Sequence, residues 1–196
     1  VTEAVPVPVT LKIRLGWSKD EINATEIGLI AKDAGVVSLT VHGRTRACRF
    51  AGEVDYEAIA SIKRNVDLPI VANGDISSPQ KAKKVIEITN CDAVMIGRAA
   101  LGKPWLPSQI DYFLKTGHLT EHISGSDLTE FLISHLNALY TYYGVERGLL
   151  IARKHVGWAI ADLPMSALIK KEFNQASSAE EQIRLISCLK IEKLVA

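Results

Sequence analysis

Two kinds of apolar spacing alternate along the first half of the chain. Residues 9–15 (VTLKIRL) form a short β-rich run. Ile27, Ile30, Ala31 and Ala34 then follow the i, i+3, i+4, i+7 rhythm of one helix face within 22–34, with Gly35 as its stop. Residues 37–42 (VSLTVH) predict a second strand, and Asp55 opens a second helix whose Ala58, Ile59 and Ile62 face inward. Residues 69–72 (PIVA) predict a third strand. Ser78 caps a third helix, with Pro79 in its first turn and Ala82, Val85 and Ile86 on the buried side. Residues 93–96 (AVMI) predict a fourth strand. The result is a βαβαβαβ series with a repeat of roughly thirty residues, the length of a parallel β/α unit. Its strands are short and largely apolar, as in a parallel sheet covered by helices.

The rhythm changes after Gly102-Lys103-Pro104, beyond which no strand is predicted. Asp127-Leu128-Thr129-Glu130 has the form of a capping box, and Leu128, Phe131, Leu132, Leu136 and Leu139 make one helical stripe behind it. Tyr143-Gly144 breaks that helix. Another is expected over 149–161, stopping near Pro164, and Ser178 with Glu181 caps one carrying Ile183, Ile186 and Leu189. The pattern divides the chain into a β/α part, 1–117, and a helical part, 118–196. A closed β/α barrel has eight strands and about 250 residues. Four βα units therefore form either an open sheet or the carboxyl-terminal half of a TIM (β/α)8 barrel whose first half is absent, followed by a small helical bundle. Either way two sheet edges stay unpaired, which favours self-association.

Composition narrows the function classes. Hydrophobic residues are 47% and charged residues 23% of the 196, enough apolar surface for a packed core. The net charge of +1 provides no bulk field for nucleic acid, so any such partner must meet a local patch. Cys48, Cys91 and Cys188 form no CxxC pair, which fits a reducing, cytoplasmic setting and argues against a disulfide framework or a metal site. No apolar run reaches the roughly 20 residues needed to span a bilayer. Residues 1–10 do not read as a signal peptide, and a chain opening on Val is expected to be a processed or truncated product.

Polar residues gather where the predicted strands end, the place where parallel α/β folds bind ligands. Gly97-Arg98 offers backbone N–H groups and a charged fork to a phosphate; taken by itself it reads first as a tight turn with a solvated Arg. In Asn73-Gly74-Asp75 the glycine lets backbone approach a ligand closely, the plain alternative being an Asn-Gly turn. Their position on successive strand ends raises both, because adjacent glycine loops form the phosphate cup of β/α barrels. Lys12 alternates with Leu11 and Ile13 and points off their face, where it suits an anion or a polar ring. His42, beside Gly43 and Arg44, suits a carbonyl or phosphate. Cys48 lies among arginines that favour its thiolate, yet no acid or base stands at useful spacing. In the helical part, Arg153, Lys154 and His155 crowd one turn next to Trp158, either a phosphate-gripping patch or a solvated face.

Taken in order, LKIRLGW, LTVHGRTRACRFAGEVDY, PIVANGDI, AVMIGRAALGKPW and IARKHVGW resemble the tRNA-dihydrouridine synthases over essentially the whole chain, and among them the bacterial B branch. The resemblance implies an FMN-containing β/α barrel with a helical domain that reduces uridine in tRNA to dihydrouridine, NADPH reducing the flavin. It places Lys12 at the flavin ring and His42 near the flavin and its phosphate. Asn73, Gly74 and Asp75 fall at the phosphate and ribityl chain, and Gly97 and Arg98 at the last phosphate-binding turn. Arg153, Lys154 and His155 become the segment facing tRNA. The family's general acid is a cysteine within a motif resembling asparagine–x–glycine–cysteine–proline, and this sequence contains no such motif. No catalytic residue is therefore expected in this chain, which by itself should be inactive. Two alternatives stay open. One is another flavin barrel of the dihydroorotate-dehydrogenase kind, against which the IARKHVGW tail speaks. The other is a non-catalytic RNA-binding module.

Overall fold

The computed structural model describes residues 1–121, 123–164 and 166–189. Two compact units emerge, one comprising Val1–Ala100 with Trp105–Leu119, the other Leu101–Pro104 with Thr120–Ala196.

The first unit carries a four-stranded parallel sheet in the order β1-β2-β3-β4, with β1 Thr10–Arg14, β2 Ser38–His42, β3 Ile70–Asn73 and β4 Ala93–Met95. Helices α1 (Ala24–Asp33), α2 (Tyr56–Asn65) and α3 (Pro79–Thr89) are the crossovers, and α4 (Leu106–Thr116) follows. The strand register is what positions a site. Arg14 pairs with His42, His42 with Asn73, and Asn73 with Met95, so the last residues of all four strands form one row. Because side chains alternate along a strand, Leu39, Val41, Ile70 and Ala72 fall on one face and enter the hydrophobic core. Lys12, Arg14, Thr40, His42, Asn73 and Met95 share the other parity. Below the row, Asp92 accepts from Lys63 Nζ (2.7 and 2.9 Å) and from the Ile70 amide (2.7 Å), tying α2 to the starts of β3 and β4. Among the described residues β1 and β4 each have a strand neighbour on one side only.

Some local readings need correction. The buried stripe of α1 is Ala24, Gly28 and Ala31, whereas Ile30 is 56% exposed and Ala34 is exposed. The small residues win because the helix sits close to its neighbours: a Cβ on Gly28 would come within 2.9 Å of Val66 and 3.2 Å of Leu39. The capping box of α5 (Gly125–Tyr143) lies three residues before the expected one. Ser124 Oγ accepts from the Asp127 amide (3.1 Å), and Asp127 Oδ2 accepts from the Ser124 amide (3.2 Å). Asp127 is thus the closing member of the box rather than its cap.

In the second unit α5 packs with α6 (Val145–Ala159) and α8 (Ala179–Ser187), and α7 (Ser166–Gln175) packs on α6 and α8. Gly144, at φ 75°, makes the break between α5 and α6, so α6 begins four residues earlier than the apolar pattern indicated. Leu128, Leu132, Leu136, Ala152, Val156, Phe173 and Ile186 form the interior. A fully buried polar residue, Gln182, joins all four helices. Its Oε1 accepts from the Tyr140 hydroxyl (2.7 Å), and its Nε2 donates to the carbonyls of Leu149 (3.3 Å) and Phe173 (3.4 Å). Residues 101–104 belong to this unit for a steric reason: a Cβ on Gly102 would lie 2.5 Å from the backbone of Trp158 and Ala159, so only glycine permits that approach. Lys103 adds a 2.6 Å bond to Asp162. Among the described residues no helix is long and apolar enough to cross a membrane.

Candidate functional site

A cavity of about 730 Å³ opens at the carboxyl ends of the strands, within the size range of small-molecule sites. Its wall brings together Lys12, His42, Asn73, Gly74, Asp75, Gly97 and Arg98, the seven positions singled out on the sequence, and adds Arg14, Phe50 and Met95. Strand parity explains the grouping. Lys12 and Arg14 lie two apart on β1, and Arg14, His42 and Asn73 occupy the registered row.

The Asn73-Gly74-Asp75 turn is held from three directions. Asn73 Nδ2 donates to the Met95 carbonyl (2.8 Å), and the Tyr56 hydroxyl donates to the Gly74 carbonyl (2.7 Å). Arg44 grips the Asp75 carboxylate with both Nη atoms (3.0 and 2.5 Å). Gly74 is at φ 132°, and a Cβ there would meet Val54 at 2.8 Å and His42 at 3.2 Å. Asp75 itself adopts φ 46°. Such a non-glycine left-handed residue persists where its surroundings fix it. Gly97 is the converse, because a Cβ there would meet nothing within 4 Å. The turn is open towards solvent and leads into the short 3-10 segment Arg98–Ala100.

The loop after β2 closes one side. Arg14 Nη1 donates to the carbonyls of Thr45 (2.8 Å) and Arg49 (2.7 Å), and Arg44 Nη2 also donates to the Gly52 carbonyl (2.5 Å). These bonds place the exposed Phe50 ring between two guanidinium groups, 5.6 Å from Arg14 and 4.8 Å from Arg98. Such distances are those of cation–π contacts. Arg44 and Phe50 were not recognised as site residues from sequence. Arg14 had a signal, its parity with Lys12, but Phe50 reaches the wall only through the fold of its loop.

Electrostatics separate the groups. Burial, followed by the charges of Arg14, Lys12 and Arg44, lowers the His42 pKa to about 4, with Asp75 opposing. His42 is therefore neutral near pH 7, able to donate from one ring nitrogen and accept at the other. Burial and Arg14 lower the pKa of Lys12. The Arg44 hydrogen bonds hold the Asp75 carboxyl below its ordinary value, aided by the Arg44 and Arg98 charges. With one carboxylate set against Lys12, Arg14, Arg44 and Arg98, the pocket suits an anionic ligand. Cys48 is not part of that wall; Thr45 Oγ1 donates to its sulfur (3.1 Å) and lowers its pKa.

Arg153, Lys154 and His155 lie on α6 with different surroundings. Lys154 is exposed, and its Nζ sits 4.9 Å from the Trp158 ring centroid. Arg153 is half-buried, with its Nε shielded and lacking a hydrogen-bond partner. His155 Nδ1 meets His135 Nε2 at 2.9 Å, while His135 stacks on Phe131 at 5.8 Å. Burial, then the charges of His135 and Lys154, lower the His155 pKa.

Comparison with known proteins agrees along the whole length. The dihydrouridine synthase (Dus) family model matches residues 1–195. The chain is 49% identical over 185 residues to tRNA-dihydrouridine synthase B of Pseudomonas aeruginosa, covering 93% of this chain and 55% of that protein. It is 44% identical to the Salmonella typhimurium protein of the same name and 43% to that of Escherichia coli K12, in each case covering 95% of this chain and 58% of the relative. The chain thus spans little more than half the length of these curated relatives. A mandelate oxidase mutant aligns at a TM-score of 0.36 and 16% identity over 89% of this chain and 54% of its own, too weak a likeness to argue from. On the family match and the relatives' identities, the chain belongs to the dihydrouridine synthase family.

Proposed function

We propose that this chain supplies the FMN-phosphate side and the RNA-facing helices of a tRNA-dihydrouridine synthase, a cytoplasmic enzyme that reduces uridine in tRNA at the expense of NADPH. The observation that carries the reading is the convergence of Lys12, His42, Asn73, Gly74, Asp75, Gly97 and Arg98 on one cavity. These residues fit FMN chemically. The Gly97 turn has room for backbone to meet a phosphate, and Arg98 is exposed beside it. Lys12, two residues behind the row, meets the polar edge of a ring system; burial first, and then the Arg14 charge, lower its pKa, and an anion bound there would offset the second of these. The neutral His42 and the anchored Asn73 turn offer uncharged hydrogen-bonding groups to a polyol chain.

When bound, FMN supplies the redox chemistry of the reduction. The chain's own part is to hold the phosphate, orient the ring beside Lys12, and screen one side of the pocket with the Phe50 loop. In the helical unit, Arg153, Lys154 and His155 are proposed to meet tRNA, with Lys154 the most accessible cation and His155 braced by His135. Shape and phosphate contacts of this kind suit a folded RNA. The 196-residue chain is expected to bind rather than to turn over. Titrating FMN into the purified chain should quench flavin fluorescence saturably. A linear, non-saturating response would remove the reading.

A further inference from the structure

Asp75 occupies an unexpected place, a carboxylate on the wall of a pocket read as an anion site. Its partners show how the charge is contained. Arg44, whose side chain is only 3% exposed, takes both oxygens, Nη1 to Oδ1 at 3.0 Å and Nη2 to Oδ2 at 2.5 Å. Arg98, 59% exposed, reaches only Oδ1, at 3.0 Å, and shares that oxygen with Arg44. A two-pronged, shielded pair is the stronger association, whereas a single bond on an exposed side chain is weak. Arg44 is fixed independently of the ligand by its bond to the Gly52 carbonyl and by its place two residues after the end of β2.

We propose that Arg44 is a positioning residue. By saturating Asp75 it leaves Arg98 on one shared oxygen, so that Arg98 remains available to an incoming phosphoryl group. This rests on reading the pocket as an anion site. Without Arg44, both Asp75 oxygens would turn to Arg98, and the pocket's own carboxylate would occupy the residue meant for the ligand. Removing Asp75 as well takes away the competitor and returns Arg98 to the ligand. The carboxylate keeps its value in the intact site, because it holds the turn and aims Arg98 along the wall beside Phe50.

The test follows the Arg98 Nε–H resonance in the full 196-residue chain, assigned with Arg98→Met, during titration with inorganic phosphate. The wild-type resonance should shift saturably. Arg44→Met should raise the midpoint about tenfold, and Arg44→Met/Asp75→Asn should bring it back to within about threefold of wild type. If Arg44→Met does not fold, Arg44→Lys and Arg44→Lys/Asp75→Asn serve instead, with a smaller rise and the same recovery. An unresponsive wild-type Arg98, or single and double variants equally weakened, would overturn the inference, since a merely structural loss is not rescued by a second substitution. Failure of FMN to saturate with the Arg98 response intact would instead remove the flavin reading and leave this inference standing.

Discussion

His42 shows how much a single residue owes to its neighbours. Its pKa in the folded chain is near 4 against an ordinary 6.5, set first by burial and then by the surrounding Arg14, Lys12 and Arg44 charges. Between those values the unfolded chain binds more protons than the folded one, so stability must rise with pH across that window. The contribution of neutral His42 is complete above pH 6.5 and is lost as pH falls through about 4. Chemical denaturation from pH 7.5 down to about 4.5 should therefore show a decline that His42→Gln reduces. An identical pH slope in the two proteins would contradict the assignment. The candidacy of His42 was readable from its strand-end position. Its protonation state was not, because that depends first on burial and then on Arg14 and Lys12, which only the β1–β2 register brings beside it.

The caps and faces of the elements carry a second lesson. Ser124→Ala should cost about 1 kcal/mol, the usual worth of an N-cap. Glu130→Ala, at the position the sequence pattern favoured, should stay within about 0.5 kcal/mol of wild type. Equal losses in thermal unfolding would argue against the observed box. Strands were legible because alternation and parallel register leave a strict pattern, and the ends of β2 and β3 fell where the glycines announced them. The inward face of α1 was less so: apolar size pointed to Ile27 and Ile30, but close packing at Gly28 selected the smaller residues. For α5, SGSD and DLTE both have cap-like spacing, and hydrogen-bond geometry alone chooses between them. Gln182 was invisible to hydropathy, since its burial depends on Tyr140 and on two carbonyls from other helices.

At the scale of the whole molecule, the strand-end pocket lies in one unit and the α6 cations in the other. The near-balanced charge means that any hold on tRNA must be local. Substituting Arg153 and Lys154 together by Ala should weaken tRNA binding and lower the slope of log affinity against log salt by about 1 to 2, one for each phosphate no longer neutralised. An unchanged slope would place the RNA surface elsewhere. The proposed flavin site is tested most directly by comparing FMN with riboflavin, which differ only in the phosphate, in fluorescence titrations of the wild-type chain and of Arg98→Met. FMN should bind at least about tenfold more tightly than riboflavin to wild type, with that preference largely lost in Arg98→Met. Equal affinity of the two flavins for the wild-type chain would contradict the phosphate cup at the strand ends.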